Sequence, residues 1–180
     1  MEKIEQTSNT KITPPVVFAE FNIGDRVVYS SHGVGQIKEI ETSVYEGIQL
    51  RFYVIELINQ KMSIKVPIKK NSDGGLRKIT DAQEVESIFG ILREKACNPF
   101  HKSKARKFIN YKQKLNSGSI TDLAEVVRDL YRSDYLTTSY SQKAIYESAL
   151  TRLANELALL LDVKLDKMLL NLEELLIARI

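Results

Sequence analysis

The chain has no tryptophan, one cysteine (Cys97) and no long hydrophobic run. A lone cysteine excludes an internal disulfide framework and fits a reducing compartment. The most apolar stretch, Leu157 to Leu161, is far shorter than the ~20 residues that cross a bilayer. The opening MEKIEQTSNTKITPP lacks the apolar segment of a secretory signal. A soluble, intracellular protein that does not engage a membrane is expected. Reactive constellations are missing too. Cys97 has no legible partner base, so it reads as a small apolar filler. His32 reads as a turn residue, and His101 stands among lysines. Gly33-x-Gly35 lacks the lysine and the strand-loop-helix setting of a phosphate loop. No catalytic residue, metal ligand or cofactor is assigned, and no enzymatic activity is expected.

What is present suffices for a core. The 180 residues are 43% hydrophobic and 27% charged, with a net charge of +3. That is enough for one ordinary domain or two small ones. Residues 1 to 18 are polar, carry Pro14-Pro15, and read as a flexible tail. From 19 to 79 strand signals dominate. The stretch Phe21 to Glu41 reads as two strands joined at Ser31-His32-Gly33, with Gly33 and Gly35 placed for a turn or a bulge. We read this stretch as part of a docking platform. Ile48 to Leu57 is rich in β-branched and aromatic residues. Met62, Ile64, Val66 and Ile68 alternate with Ser63, Lys65 and Pro67 at a period of two. Gly47 and Asn59-Gln60 supply turns, Asn71 to Gly75 a loop, and Leu76 a last short strand. Four or five short strands in this length indicate a small barrel of SH3 or Tudor type.

At Thr80 the period changes. Thr80 and Asp81, with Gln83 and Glu84 three residues on, form overlapping capping boxes before Val85, Ile88, Phe89 and Leu92 at helical spacing. Asn98-Pro99 interrupts the pattern. A basic stretch follows, with Lys102, Lys104, Arg106, Lys107, Lys112 and Lys114 and no acid between Glu94 and Asp122. Phe108, Tyr111 and Leu115 give it an apolar face, and Gly118 a stop. Ser119 with Asp122, and Ser139 with Gln142, open further helices, and a last one runs from about Lys164. Asp162 and Val163 break the Leu-rich end into two helices rather than a coiled coil. The fold class is thus α+β: a small SH3/Tudor-like barrel over 19–79, then a compact helical bundle over 80–180.

With both halves read, three motifs coincide. Phe21-x-x-Gly24-Asp25-x-Val27-Val28-Tyr29-x-x-His32-Gly33-x-Gly35 resembles the opening signature of the CarD/CdnL family of bacterial transcription regulators. Ser117-Gly118 with Leu123 to Leu130 resembles a second hallmark, and Glu156-Leu157-Ala158-Leu159 a third. The resemblance implies a Tudor-like domain that binds the β subunit of RNA polymerase and a helical domain that touches promoter DNA. It also implies a non-enzymatic role, holding the upstream edge of the melted promoter and stabilising the open complex. It places the protein in the bacterial cytoplasm, associated with the nucleoid through polymerase, and a monomer is expected. Family members carry a Trp before a basic pair in the first DNA-contacting helix. Here Lys104 falls in that place, Arg106 and Lys107 match the pair, and Phe100 and Phe108 are the alternatives.

Polymerase contact is expected at Met62, Ile64, Lys65 and Val66, on a short strand able to pair with a partner's sheet edge. DNA contact is expected at Lys102, Lys104, Arg106, Lys107 and Lys112, where a basic outer face suits phosphate neutralisation. An RNA- or ribosome-binding adaptor built on a small barrel is the alternative of another class. A Leu-zippered structural dimer is a third.

Overall fold

A computed structural model describes residues 20–58, 60–68, 75–96, 104–131 and 139–178, with the backbone alone for Lys104 and Ala105. The N-terminal tail, Asn59, the loop residues 71–74, Cys97, Asn98-Pro99, Phe100, His101 and Lys102 lie outside the described residues.

Among the described residues, five strands form one antiparallel sheet: β1 (Arg26–Tyr29), β2 (Gly33–Tyr45), β3 (Ile48–Leu57), β4 (Ser63–Pro67) and β5 (Leu76–Lys78). Their spatial order is β4-β3-β2-β1-β5. The sheet core gathers Phe21, Val27, Ile37, Tyr53, Ile55, Leu57, Val66 and Leu76. The signature residues build it. The Asp25 carboxylate accepts from the Asn22 backbone N–H at 2.7 Å, closing a turn. Gly24, at φ +95°, donates to the Ile37 carbonyl at 2.8 Å, which ties that turn to β2. Phe21 meets Tyr53 edge-on with ring centroids 5.9 Å apart, and its N–H donates to the Tyr53 hydroxyl. Tyr29 and His32 stack across the β1–β2 turn.

The two glycines there do different jobs. Gly33 has φ +89°, a region that costs a residue with a side chain. Gly35 needs no unusual angle. A Cβ on it would collide with the Ile55 side chain and come within 3.0 Å of the Glu56 carbonyl oxygen. Neither glycine makes the bulge expected from their spacing. The register shift falls between Ile37 and Glu39, two residues beyond Gly35. At the far end of this hairpin Glu46 (φ 50°) and Gly47 (φ 80°) both turn left-handed, which matches the twist of the two strands.

The helical part comprises α1 (Val85–Arg93), α2 (Lys104–Asn116), α3 (Ile120–Leu130), α4 (Tyr140–Leu160) and α5 (Leu165–Ile177). Ser119 and Ser139 cap α3 and α4, their hydroxyls accepting from Asp122 and Gln142 backbone N–H groups. Asp162, at φ 51°, turns the chain between α4 and α5, as the expected break requires. The capping boxes expected at Thr80 and Asp81 do not form. A 3₁₀ turn (Ala82–Glu84) leads into α1, and the Asp81 side chain makes no cap. The Thr80 hydroxyl is engaged elsewhere, donating to Glu156 at 2.9 Å. Helix α4 is the central helix. Leu153 to Ala158 are buried without interruption, as befits a helix packed on every side. Among the described residues no helix is long and apolar enough to cross a membrane.

Candidate functional site

Strand β4 is one border of the sheet, and among the described residues no strand pairs with its outer edge. Which backbone groups point outward follows from the register. Leu57 N–H donates to the Met62 carbonyl and Ile68 N–H to the Arg51 carbonyl. Ile64 opposite Ile55 and Val66 opposite Tyr53 therefore face β3 with their backbone groups, because bonded pairs recur every second residue. Ser63 and Lys65 present their N–H and C=O to the outside. Pro67 shares that outward parity, where its missing N–H interrupts no bond of the sheet.

The side chains of the expected polymerase-binding set divide between the two faces. Val66, 2% exposed, belongs to the sheet core, and Ile64 packs against it half-buried. Met62 is exposed just before the strand. Lys65 lies on the outer face, where its ammonium bonds the Glu41 carboxylate at 2.6 Å. That hydrogen bond holds the Glu41 carboxyl below the usual carboxylate range. The ammonium thus reaches across β3 to β2 and marks the same face.

Beside this edge lies an apolar surface that the sequence reading did not single out. Strand β3 is apolar on both faces: Tyr53, Ile55 and Leu57 turn inward. Ile48, Leu50, Phe52 and Val54 turn outward, with Tyr45 opposite Ile48. The tip reaches past the end of β4, leaving Tyr45 68% and Ile48 59% exposed. A strand apolar on both faces is the signal that was available, since a sheet with one solvated face alternates. Of the outward residues Tyr45, Ile48 and Leu50 are exposed, and Phe52 and Val54 are half-buried.

Helix α2 carries the basic stretch. Lys104 is its first residue, so the position matching the family Trp starts the helix. Arg106 and Lys112 are exposed and Lys107 half-buried. The Lys112 ammonium lies 4.8 Å from the centre of the Phe108 ring, while Phe108, Tyr111 and Leu115 pack on the helical core. Lys114 departs from the unpaired cluster expected. It is bonded to Glu125 and lies 3.8 Å from Asp122, both on α3. The acids absent from the local sequence come from the next helix. Of the expected DNA set, Arg106, Lys107 and Lys112 are the members whose side chains are described.

Between sheet and helices stands a polar joint. Glu156, 1% exposed, accepts from Arg77 Nη1 at 2.7 Å and Nη2 at 2.8 Å, a forked pair. The same carboxylate accepts from the Thr80 N–H and hydroxyl. Arg77 also donates through Nε to the Gly118 carbonyl, just past the end of α2. Arg152 Nη1 donates to the Ser30 carbonyl at 2.9 Å and the Leu115 carbonyl at 3.0 Å. Burial lowers the pKa of the Arg152 guanidinium, and the two carbonyls hold its charge in place. Gly118 (φ +81°) sits so close to Ser30 that a Cβ would come within 3.1 Å. Two of the three hallmarks, Ser117-Gly118 and the one that begins with Glu156, are thus parts of this joint.

The described residues thus form a five-stranded Tudor-like sheet followed by helices, one of which carries the basic stretch. The comparisons with known proteins agree. Residues 21–80 match the CarD-like/TRCF RID domain, and residues 87–173 match the CarD, C-terminal domain. The chain belongs to the CarD-like family of transcription regulators. Among its relatives is the Bacillus subtilis (strain 168) protein named "Putative transcription factor YdeB". It is 32% identical over 138 residues, which are 76% of this chain and 90% of that protein.

Proposed function

We propose that this protein is a non-enzymatic transcription regulator that bridges RNA polymerase and promoter DNA. The open edge of β4, with the outward apolar residues of β3 beside it, receives the β subunit of polymerase. A strand of the β subunit adds to Ser63 and Lys65 through backbone bonds, and side chains at Met62, Lys65, Phe52 and Leu50 supply selectivity. Helix α2 then meets promoter phosphates near the upstream edge of the bubble through Arg106, Lys107 and Lys112, with Lys104 as its first residue and Lys102 two positions earlier in the sequence. With the protein anchored to polymerase at one end and to the upstream DNA at the other, the melted promoter recloses more slowly and the open complex lives longer. The protein acts in the cytoplasm as a monomer, without a cofactor. The observation that carries this reading is the outer edge of β4, with which no strand pairs among the described residues, next to exposed apolar residues.

Where the family has a Trp, this chain has Lys104, so DNA is held mainly through charge. Phosphate contacts weaken steeply with salt and ignore sequence. Arg106→Ala, Lys107→Ala and Lys112→Ala should each lower the salt slope of promoter-complex formation by up to about one unit, similarly across promoters. Open-complex lifetimes at three salt concentrations provide the measurement. If all three variants keep the wild-type slope, α2 is a solvated surface and the DNA half of the proposal falls.

A further inference from the structure

We propose that the joint built by Glu156, Arg77 and Arg152 sets the orientation of the basic helix relative to the polymerase-docking edge. Glu156 and Arg77 are thus positioning residues for bridging rather than contacts to either partner. The inference deepens the bridging role proposed above and rests on it.

Both arginines of the joint reach one place, the C-terminal end of α2. Arg77, on β5, reaches the Gly118 carbonyl, and Arg152, on α4, links the Leu115 carbonyl to the Ser30 carbonyl of the β1–β2 turn. Leu115 and Gly118 bracket the last residue of α2, Asn116. The sheet therefore grips the basic helix at its end, not merely the bundle at large. Ser30 packs closely on Gly118, where an added Cβ would lie 3.1 Å from the Ser30 Cβ.

The chemistry of the joint favours direction over adhesion. A buried ion pair contributes little net stability compared with an apolar pair of the same shape, because both charges lose their water. What it supplies is geometry. A forked guanidinium–carboxylate pair tolerates little rotation, and here the Glu156 carboxylate is fixed further by two donors from Thr80. Thr80 lies two residues beyond β5, so the link between the two parts is pinned at the point where it leaves the sheet. A bridge between polymerase and a fork needs this property, since a free hinge would let α2 wander from the DNA while the sheet stayed docked.

The test uses the full chain with Cys97→Ser and spin labels at Glu39→Cys on β2 and Gln113→Cys on α2. Both label sites are exposed. Electron–electron distance measurement should give one narrow distribution, which Arg77→Ala and Glu156→Gln broaden. Affinity for the purified β subunit, and separately for promoter DNA, should change by less than about twofold, as neither side chain belongs to either proposed contact set. The gain in open-complex lifetime should nevertheless be lost. An unchanged narrow distribution in Arg77→Ala would overturn the proposal. So would loss of the native circular-dichroism spectrum in both variants, which would make the joint a folding element instead. The distance measurement involves neither polymerase nor DNA. If it broadens while the wild-type chain fails to bind the β subunit, the joint stands and the bridging role falls.

Discussion

Gly35→Ala should destabilise the sheet nearly as much as Gly35→Val, by about 3 kcal/mol or more, the upper part of the range for overpacked cores. The offending atom is Cβ itself, which meets the Ile55 side chain and the Glu56 carbonyl oxygen. Ile55 is fully buried and Glu56 lies on the neighbouring strand, so neither can withdraw without opening the β2–β3 ladder. Gly33 makes the informative contrast. There the obstacle is φ +89°, and the nearest atom to a new Cβ is Arg152 Cγ at a comfortable 3.6 Å. Gly33→Val should therefore cost only about 1–3 kcal/mol, the strain of a left-handed backbone. In a chain of this length each kcal/mol lowers Tm by roughly 2–4 °C. Thermal melts of the three variants should rank Gly35→Val and Gly35→Ala below Gly33→Val. A Gly35→Ala melt equal to wild type would mean that β2 and β3 are not in this register.

Lys65→Pro is the second substitution with a large expected effect, this time on binding alone. The Lys65 N–H points away from β3, so its loss removes none of the bonds between β3 and β4. Pro67 already occupies an equivalent place two residues on. A partner strand loses that donor, is left with an unmade bond costing about 1–3 kcal/mol, and meets the proline ring. Affinity for the β subunit should fall by about ten- to a hundredfold while Tm stays close to wild type. Lys65→Ala is the control. It removes the ammonium and its bond to Glu41 but keeps the N–H, and exposed ion pairs of this kind contribute little. Its affinity should fall less than that of the proline variant. Equal binding by Lys65→Pro and wild type would exclude strand addition at this edge.

The parts of the fold legible in the sequence are those whose cause is local. Strand β3 appears as a continuous β-branched and aromatic run, and Ser119 and Ser139 announce their helices by the residue three positions on. The signature from Phe21 to Gly35 is legible because nearly all of it is structural, a turn and a hairpin packed on one core. For the same reason it says little about where a partner binds. Non-local causes were illegible. The Thr80 hydroxyl serves Glu156, 76 positions away, so a capping motif that is sound in isolation does not form. Lys114 is paired by acids that lie on α3, beyond the gap in acidic residues. The role of Glu156 was equally hidden, because a glutamate inside an apolar helix gives no hint that Arg77 waits across a joint. The outward apolar face of β3 was in plain view but reads as part of a buried strand until the sheet order shows which side is open.

The central claim is that the open edge of the sheet receives RNA polymerase through its β subunit. Titration of the full chain against the purified β subunit tests it most directly. The account predicts saturable binding by wild type and by Lys65→Ala, with Lys65→Pro weakened at least about tenfold. Absence of saturable binding by the wild-type chain, or full binding by Lys65→Pro, would contradict it.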